Sequence, residues 1–369
     1  MNPFFIHTIE LSYRSDFEDI HHRTKNLRLM NDGGEYKSLQ YTDLGITVVS
    51  RECKKESKDG KGNYKMSLIV NPSRLLQEGT YINQITSREE LDTALGNLGV
   101  LIEKIFRDLT LDDFKLSRID ITKDIHGIPE MIIQEYILIM RRMALSYGFK
   151  LNSELEKNTP EFRCEDSFNV KSKSQGAEFV VYNKHRAAVD QGYPEKVLKH
   201  FENTMRVEFR CQRRYINKHT KHLDTKDAIL EMYDYSEFFV ERYYREMFRY
   251  RTDLCYVSPS WQRKFIQKQF CDKKMGMKLM KLLEEMEDEG MNLDIALYEC
   301  YLSKNSITKK LSAFNTMGFS PIPISLCKVS YMSSLDKILG FGNGNFTKKC
   351  YKRIKHCKGR KKVIFEYEP

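Results

Sequence analysis

Three short stretches of this 369-residue chain carry chemically capable residues at spacings that would gather them on one surface. Arg118-Ile119-Asp120-Ile121-Thr122-Lys123-Asp124 alternates as a β-strand does, with Ile119 and Ile121 on one face and Arg118, Asp120, Thr122 and Asp124 on the other. Glu178 to Lys184 places Glu178, Tyr182 and Lys184 together, and Met205 to Cys211 places Arg206, Glu208 and Arg210 opposite Val207, Phe209 and Cys211. If the three share a sheet, its polar side is a candidate site. Convergent carboxylates (Asp120, Asp124, Glu208) suit Mg²⁺ or Mn²⁺, hard cations that take oxygen ligands and polarise a phosphodiester. A phenol beside them, Tyr182, attacks phosphorus once it is deprotonated or metal-polarised. Lys184, Arg206 and Arg210 would hold the phosphate. The chemistry would be transesterification, leaving a 5′ phosphate on tyrosine and a free 3′ hydroxyl. The same residues also fit a purely structural reading, because strand carboxylates commonly pair with arginines and tyrosine is a favoured strand residue.

Positioning these groups requires a sheet and something to cover its apolar side. Phe5 to Leu11 alternates as an opening strand, and the polar stretch 16–30 reads as a short helix or a loop. Leu44–Val49 and Lys65–Val70 read as a hairpin around a Lys/Gly-rich loop. Ser87-Arg88-Glu89-Glu90 is a capping box before Leu91, Ala94, Leu95, Leu98, Leu101, Ile102 and Ile105 at helical spacing. A second amphipathic helix is expected from Pro129, built on Ile132 to Met143 and Tyr147 and stopped by Gly148. A hairpin from Phe162 to Lys184, a short helix at Pro194–Glu202 and the Met205–Cys211 strand follow. This order predicts an α+β fold, an antiparallel sheet with helices on one face and the polar face uncovered, over residues 1–215.

The remainder reads as a mainly helical region, 216–345, for DNA recognition or dimerisation, and a basic tail, 346–369. Glu237–Arg251 interleaves aromatics with arginines and reads as an amphipathic core helix. Three short helices end in Ser306–Thr316, whose Lys309 and Lys310 would face DNA in a helix-turn-helix. Lys352 and Arg353 lie in the tail, expected to be a mobile phosphate-contacting arm.

A formal net charge of +10 favours a polyanionic partner, nucleic acid before acidic membrane, and an aromatic content of 12% suits base stacking. Nine cysteines without a Cys-x-x-Cys pair, and no signal peptide, predict reduced thiols in the cytoplasm. The uncharged run Phe314–Cys327 is too short for a membrane span. Gly340-Phe341-Gly342-Asn343-Gly344 lacks the Gly-Lys-Ser/Thr of a phosphate loop. His21, His22, His219 and His222 are expected to be solvated or DNA-facing.

Taken in order, Arg-Ile-Asp-Ile-x-x-Asp, Val-Tyr-Asn-Lys and Met-Arg-Val-Glu-Phe-Arg resemble the replication initiator (Rep) proteins of rolling-circle plasmids and related phage initiators, in the group lacking the His-hydrophobic-His motif. The resemblance covers roughly Phe5 to Arg214. It implies that Tyr182 is the nicking nucleophile, that Asp120 and Glu208 hold Mg²⁺ or Mn²⁺, and that Lys184, Arg118 and Arg206 match the motif cations. It further implies a double-stranded origin nicked on one strand and later rejoined. Host helicase and polymerase are expected partners, and a homodimer is a further expectation. Two departures stand out: Asn183 where the family usually has Asp, and a glycine-flanked stretch reduced to Gly176. Either would leave room for a non-catalytic origin-binding or regulatory protein, and an open polar sheet face also suits single-stranded RNA.

Overall fold

The computed structural model describes residues 4–32, 34–53, 63–76, 84–151, 167–172, 174–270, 273–288, 290–300, 303–326, 329–341, 354–357 and 360–363. The chain divides into two units, 2–249 and 250–369, so α-helical residues beyond the composition change at 215 belong with the sheet.

In the first unit, alternation in sequence becomes pairing. Strands β1 (Phe5–Ser15), β2 (Met30–Asp32), β3 (Glu35–Ser38), β4 (Ile46–Glu52), β5 (Tyr64–Val70), β6 (Lys115–Ile125), β7 (Phe149–Leu151), β8 (Ser167–Ser172), β9 (Ala177–Asn183) and β10 (Met205–Gln212) form one sheet. Its order is β2-β3-β4-β5-β1-β6-β10-β9-β8-β7, antiparallel throughout. The strand carrying Asp120 is therefore central, and the strands carrying Glu208 and Tyr182 lie beside it in turn.

The helices of this unit are α1 (Phe17–Arg23), α2 (Pro72–Leu76), α3 (Arg88–Ile105), α4 (Glu130–Arg142), α5 (Lys184–Asp190), α6 (Glu195–Phe201), α7 (Arg213–Thr220), α8 (Thr225–Asp234) and α9 (Ser236–Met247). Helix α3 starts where the capping box places it: the Ser87 hydroxyl accepts from the Glu90 N–H and the Glu90 carboxylate accepts from the Ser87 N–H. Ile119, Ile121, Phe179, Val181, Val207 and Phe209 are fully buried on the helix-covered face, with α7 and α8 against β6 and α4 against β8 and β9. Each such side chain contributes about 1.5–3 kcal/mol. Helix α9 is the core helix its pattern predicts. Tyr243 and Tyr244 sit 4.8 Å from Phe209 and 5.9 Å from Phe179 between ring centroids, and the Tyr243 hydroxyl donates to the Ala177 carbonyl.

Several boundaries differ from the sequence reading. Helix α4 ends at Arg142, because Met143 is already extended and Gly148, at φ 91°, turns the chain into β7. Residues 42–44 form a 3-10 turn closed by Gly45, so β4 begins at Ile46. The β2–β3 hairpin, too short to show alternation, widens the sheet. The start of the expected hairpin at Phe162 lies outside the described residues.

The second unit holds α10 (Pro259–Gln269), α11 (Lys273–Met286), α12 (Leu293–Cys300), α13 (Lys304–Met317) and α14 (Leu335–Leu339), with a short ladder between β11 (Tyr256–Val257) and β12 (Tyr331–Met332). The three expected short helices are α11 to α13. In the tail, β13 (Ile354–Cys357) pairs with β14 (Arg360–Val363). No described helix is long and apolar enough to cross a membrane.

Candidate active site

Residues directly opposed across strands share a face, so the register defines the site. One row runs Phe5, Thr122, Glu208, Val180, Asn169. A second runs Asp124, Arg206, Tyr182, Ser167, and a third Thr8, Asp120, Arg210, Glu178, Lys171. The polar residues expected from the three sequence stretches thus occupy neighbouring positions on adjacent strands, with Arg118 one pleat beyond Asp120, except Lys184, which opens α5 instead of ending β9.

They pair as three guanidinium–carboxylate forks. Arg118 donates to both oxygens of Asp120 at 2.8 and 2.6 Å. Arg206 donates to both oxygens of Asp124 at 2.6 and 2.7 Å. Arg210 donates twice to Glu208 Oε2, at 3.0 and 2.7 Å, while the Tyr182 hydroxyl donates to Glu208 Oε1 at 2.6 Å. Such charge-assisted bonds are the strong ones in a low-dielectric setting.

The electrostatics follow from this pairing. Burial works against ionisation of Glu208, but Arg210, His7, Arg206 and the Tyr182 hydrogen bond together outweigh it and hold the carboxyl at about 2. Burial pushes Tyr182 well above the usual phenol value, and the Glu208 carboxylate adds to the rise. Burial lifts Asp120 to about 6 despite the Arg118 fork. Lys184 falls to about 8 through burial and then the neighbouring Arg206. Its ammonium lies 4.9 Å from the centroid of Phe201, the same ring that Arg206 approaches at 5.5 Å. Two cations near one aromatic ring are each stabilised by it while repelling one another.

The centre of the polar face is not open, as the sequence reading expected. Arg206 is 0%, Asp120 2% and Glu208 4% exposed, because the forks neutralise the charges and Phe5 and Phe201 flank Arg206. Four further residues belong here that the three stretches did not single out as functional. His7, at a register shift in β1, is held near 3 by desolvation and then by Arg206. Phe201 supplies the shared ring. The Thr122 hydroxyl and both amide atoms of Asn169 are buried without a hydrogen-bond partner, as is Arg206 Nη1. A β1 bulge and a β8 whose one charged residue is Lys171 leave little trace in sequence. The departures from the motif acquire roles: Asn183 Oδ1 caps α5 by accepting from the Arg186 N–H, and Gly176 turns β8 into β9 at φ 69°.

The carboxylates do not make a cation site as they are arranged. Both oxygens of Asp120 and Asp124 and both of Glu208 already accept from neighbours, and no three His, Cys, Asp or Glu side chains converge among the described residues. An Mg²⁺ or Mn²⁺ ion would have to displace Arg118 or Arg210.

In the second unit Lys309 is exposed on α13, but Lys310 is buried with its ammonium 3.0 Å from Met275 Sδ, so it does not face solvent. Lys352 and Arg353 lie outside the described residues. His219 is only partly solvated: it packs 4.5 Å from Phe239, and desolvation lowers it to about 4.

The sequence matches no protein-family model and no curated protein. Among solved structures it is loosely similar to the rolling circle replication initiator protein from Geobacillus stearothermophilus, at 10% identity and a TM-score of 0.33, over 68% of this chain and 88% of that one. A superposition this loose assigns nothing, and the fold rests on the strand register itself.

Proposed function

We propose that this protein cleaves one DNA strand by tyrosine transesterification and so initiates replication of a plasmid- or phage-like element at its origin. The observation that carries the reading is the 2.6 Å bond from the Tyr182 phenol to Glu208, braced from the other side by Arg210. It is a nucleophile paired with a base, and the base is paired with a phosphate-binding cation.

In the resting arrangement the proton stays on Tyr182, because the phenol is far too weak an acid and Glu208, near 2, far too weak a base. A phosphodiester that takes the Arg210 fork removes the main acidifying influence on Glu208, whose basicity then rises. The Tyr182 oxygen attacks phosphorus as its proton passes to Glu208. The bond from phosphorus to the 3′ oxygen breaks, and that oxygen takes a proton from Lys184, which holds one below about pH 8. The products are a 5′-phosphotyrosyl strand and a free 3′ hydroxyl, and the reverse reaction rejoins them. The positive net charge supports DNA as partner. The saturated carboxylates favour the second reading, a non-catalytic origin-binding protein on the same sheet.

The test uses the purified full chain with supercoiled and single-stranded DNA, with Mg²⁺, with Mn²⁺ and with chelator. A covalent protein–DNA adduct is expected that is lost in Tyr182→Phe and falls roughly 10²–10⁴-fold in Glu208→Gln. Binding with no adduct in any condition would establish the second reading. An adduct formed only with metal would show that the ion displaces an arginine.

A further inference from the structure

Three buried polar groups on the site face lack partners, and they sit around Tyr182 rather than at random. Arg206 uses Nε and Nη2 on Asp124 and leaves Nη1 unbonded, one row position from Tyr182. Thr122 stands opposite Glu208 with its hydroxyl unbonded. Asn169, 6% exposed, stands on the same row across Val180, with neither amide atom satisfied. An unsatisfied buried amide lowers stability, so an asparagine there calls for a ligand.

We infer that Asn169 reads the base of the nucleotide whose phosphate Tyr182 attacks. The inference rests on the transesterification reading and adds a specificity-determining residue and a substrate class. Asn169 faces Val180, and Tyr182 lies two residues along the same face of β9. Diagonal neighbours on an antiparallel pair lie roughly 7–8 Å apart, so the amide is within reach of a base attached to a phosphate held at Tyr182. Val180, between Asn169 and Glu208, offers an apolar floor for a base plane. Arg206 Nη1 is the donor left for a phosphate oxygen. A carboxamide presents an acceptor beside a donor, and the base edge that answers it is adenine N6–N7. Such a base reaches a buried amide only when unstacked and unpaired, so the substrate is a single-stranded or extruded nucleotide.

The full-length protein is incubated with a single-stranded oligonucleotide pool of random sequence, and the DNA trapped on it is sequenced. Adenine is expected to be enriched about tenfold or more at a single position beside the covalent phosphate, the discrimination of one good bidentate pair. In Asn169→Ala that position returns to background while preferences elsewhere persist. The wild-type protein offered a purine without the exocyclic amine at that position should lose a similar factor, a result independent of how the variant folds. An unchanged profile in the variant, no preference in the wild type, or indifference to the analogue would overturn the inference with transesterification intact. No adduct from the wild-type protein with any oligonucleotide would overturn both.

Discussion

At the scale of single residues, the site is governed by how burial and guanidinium forks divide the titration range. Lys184, lowered to about 8, is charged below that pH and neutral above it. The hold on phosphate proposed for it should therefore be present at pH 7 and lost as pH rises through 8, well before an ordinary lysine would deprotonate. Oligonucleotide affinity measured from pH 6.5 to 9.5 should fall with a midpoint near 8, and Lys184→Arg should flatten that fall. His7 behaves in the opposite sense. Its folded-state value near 3 lies below the usual imidazole value, so the unfolded chain binds the extra proton, and stability is lost as pH falls from about 6.5 towards 3. His7→Asn should shrink the drop in melting temperature between pH 7 and pH 5. These residues were unequally legible. Asp120, Tyr182 and Glu208 announce themselves because a charged or phenolic group interrupts an alternating strand. The Arg118–Asp120 and Glu208–Arg210 pairings follow from spacing two apart on one face. Asn169 leaves no such mark, since a lone asparagine in a short strand reads as an ordinary polar position.

At the scale of elements, the sheet is held in register by buried pairs that tolerate no half-measure. Arg206→Met takes the guanidinium fork from the buried Asp124 carboxylate, a loss of about 3–5 kcal/mol, whereas Arg206→Met with Asp124→Leu should recover most of it. Urea unfolding of the two variants and of Asp124→Leu alone closes the cycle. Gly176 is the corresponding backbone constraint. At φ 69°, with any added Cβ 2.9 Å from that of Arg214, Gly176→Ala should cost at least about 1–2 kcal/mol in the same measurement. Helix α3 and strands β6, β9 and β10 were legible because capping and alternation extend over many residues. The β2–β3 hairpin and the early end of α4 were not, because three-residue strands carry no period and Met143 is apolar in either conformation.

At the scale of the whole molecule, the composition change at 215 is not a boundary between compact units. Helices α7 to α9 bury Ile216, Ile229, Tyr243 and Tyr244 within the sheet unit, which runs to residue 249. Periodicity marked the α9 stretch as an amphipathic helix without saying what it covers, and α7 and α8 carried no such individual signal. A net charge of +10 predicts that affinity for DNA falls steeply with salt, by about 0.9 in log–log slope per duplex phosphate neutralised. Lys309→Ala should reduce that slope by about one, while Lys310→Ala, whose ammonium is turned inward, should leave it unchanged and lower the melting temperature.

The three forks have a consequence for ligand valence. Arg118, Arg206 and Arg210 cancel Asp120, Asp124 and Glu208, and Lys184 adds a single uncompensated positive charge below pH 8. A phosphodiester, a monoanion, brings that ledger to zero. A terminal phosphomonoester, a dianion at neutral pH, would leave a surplus negative charge at the centre of the sheet. On the proposed reading, internal linkages should therefore be preferred over strand ends by charge count alone, whatever the base sequence around them.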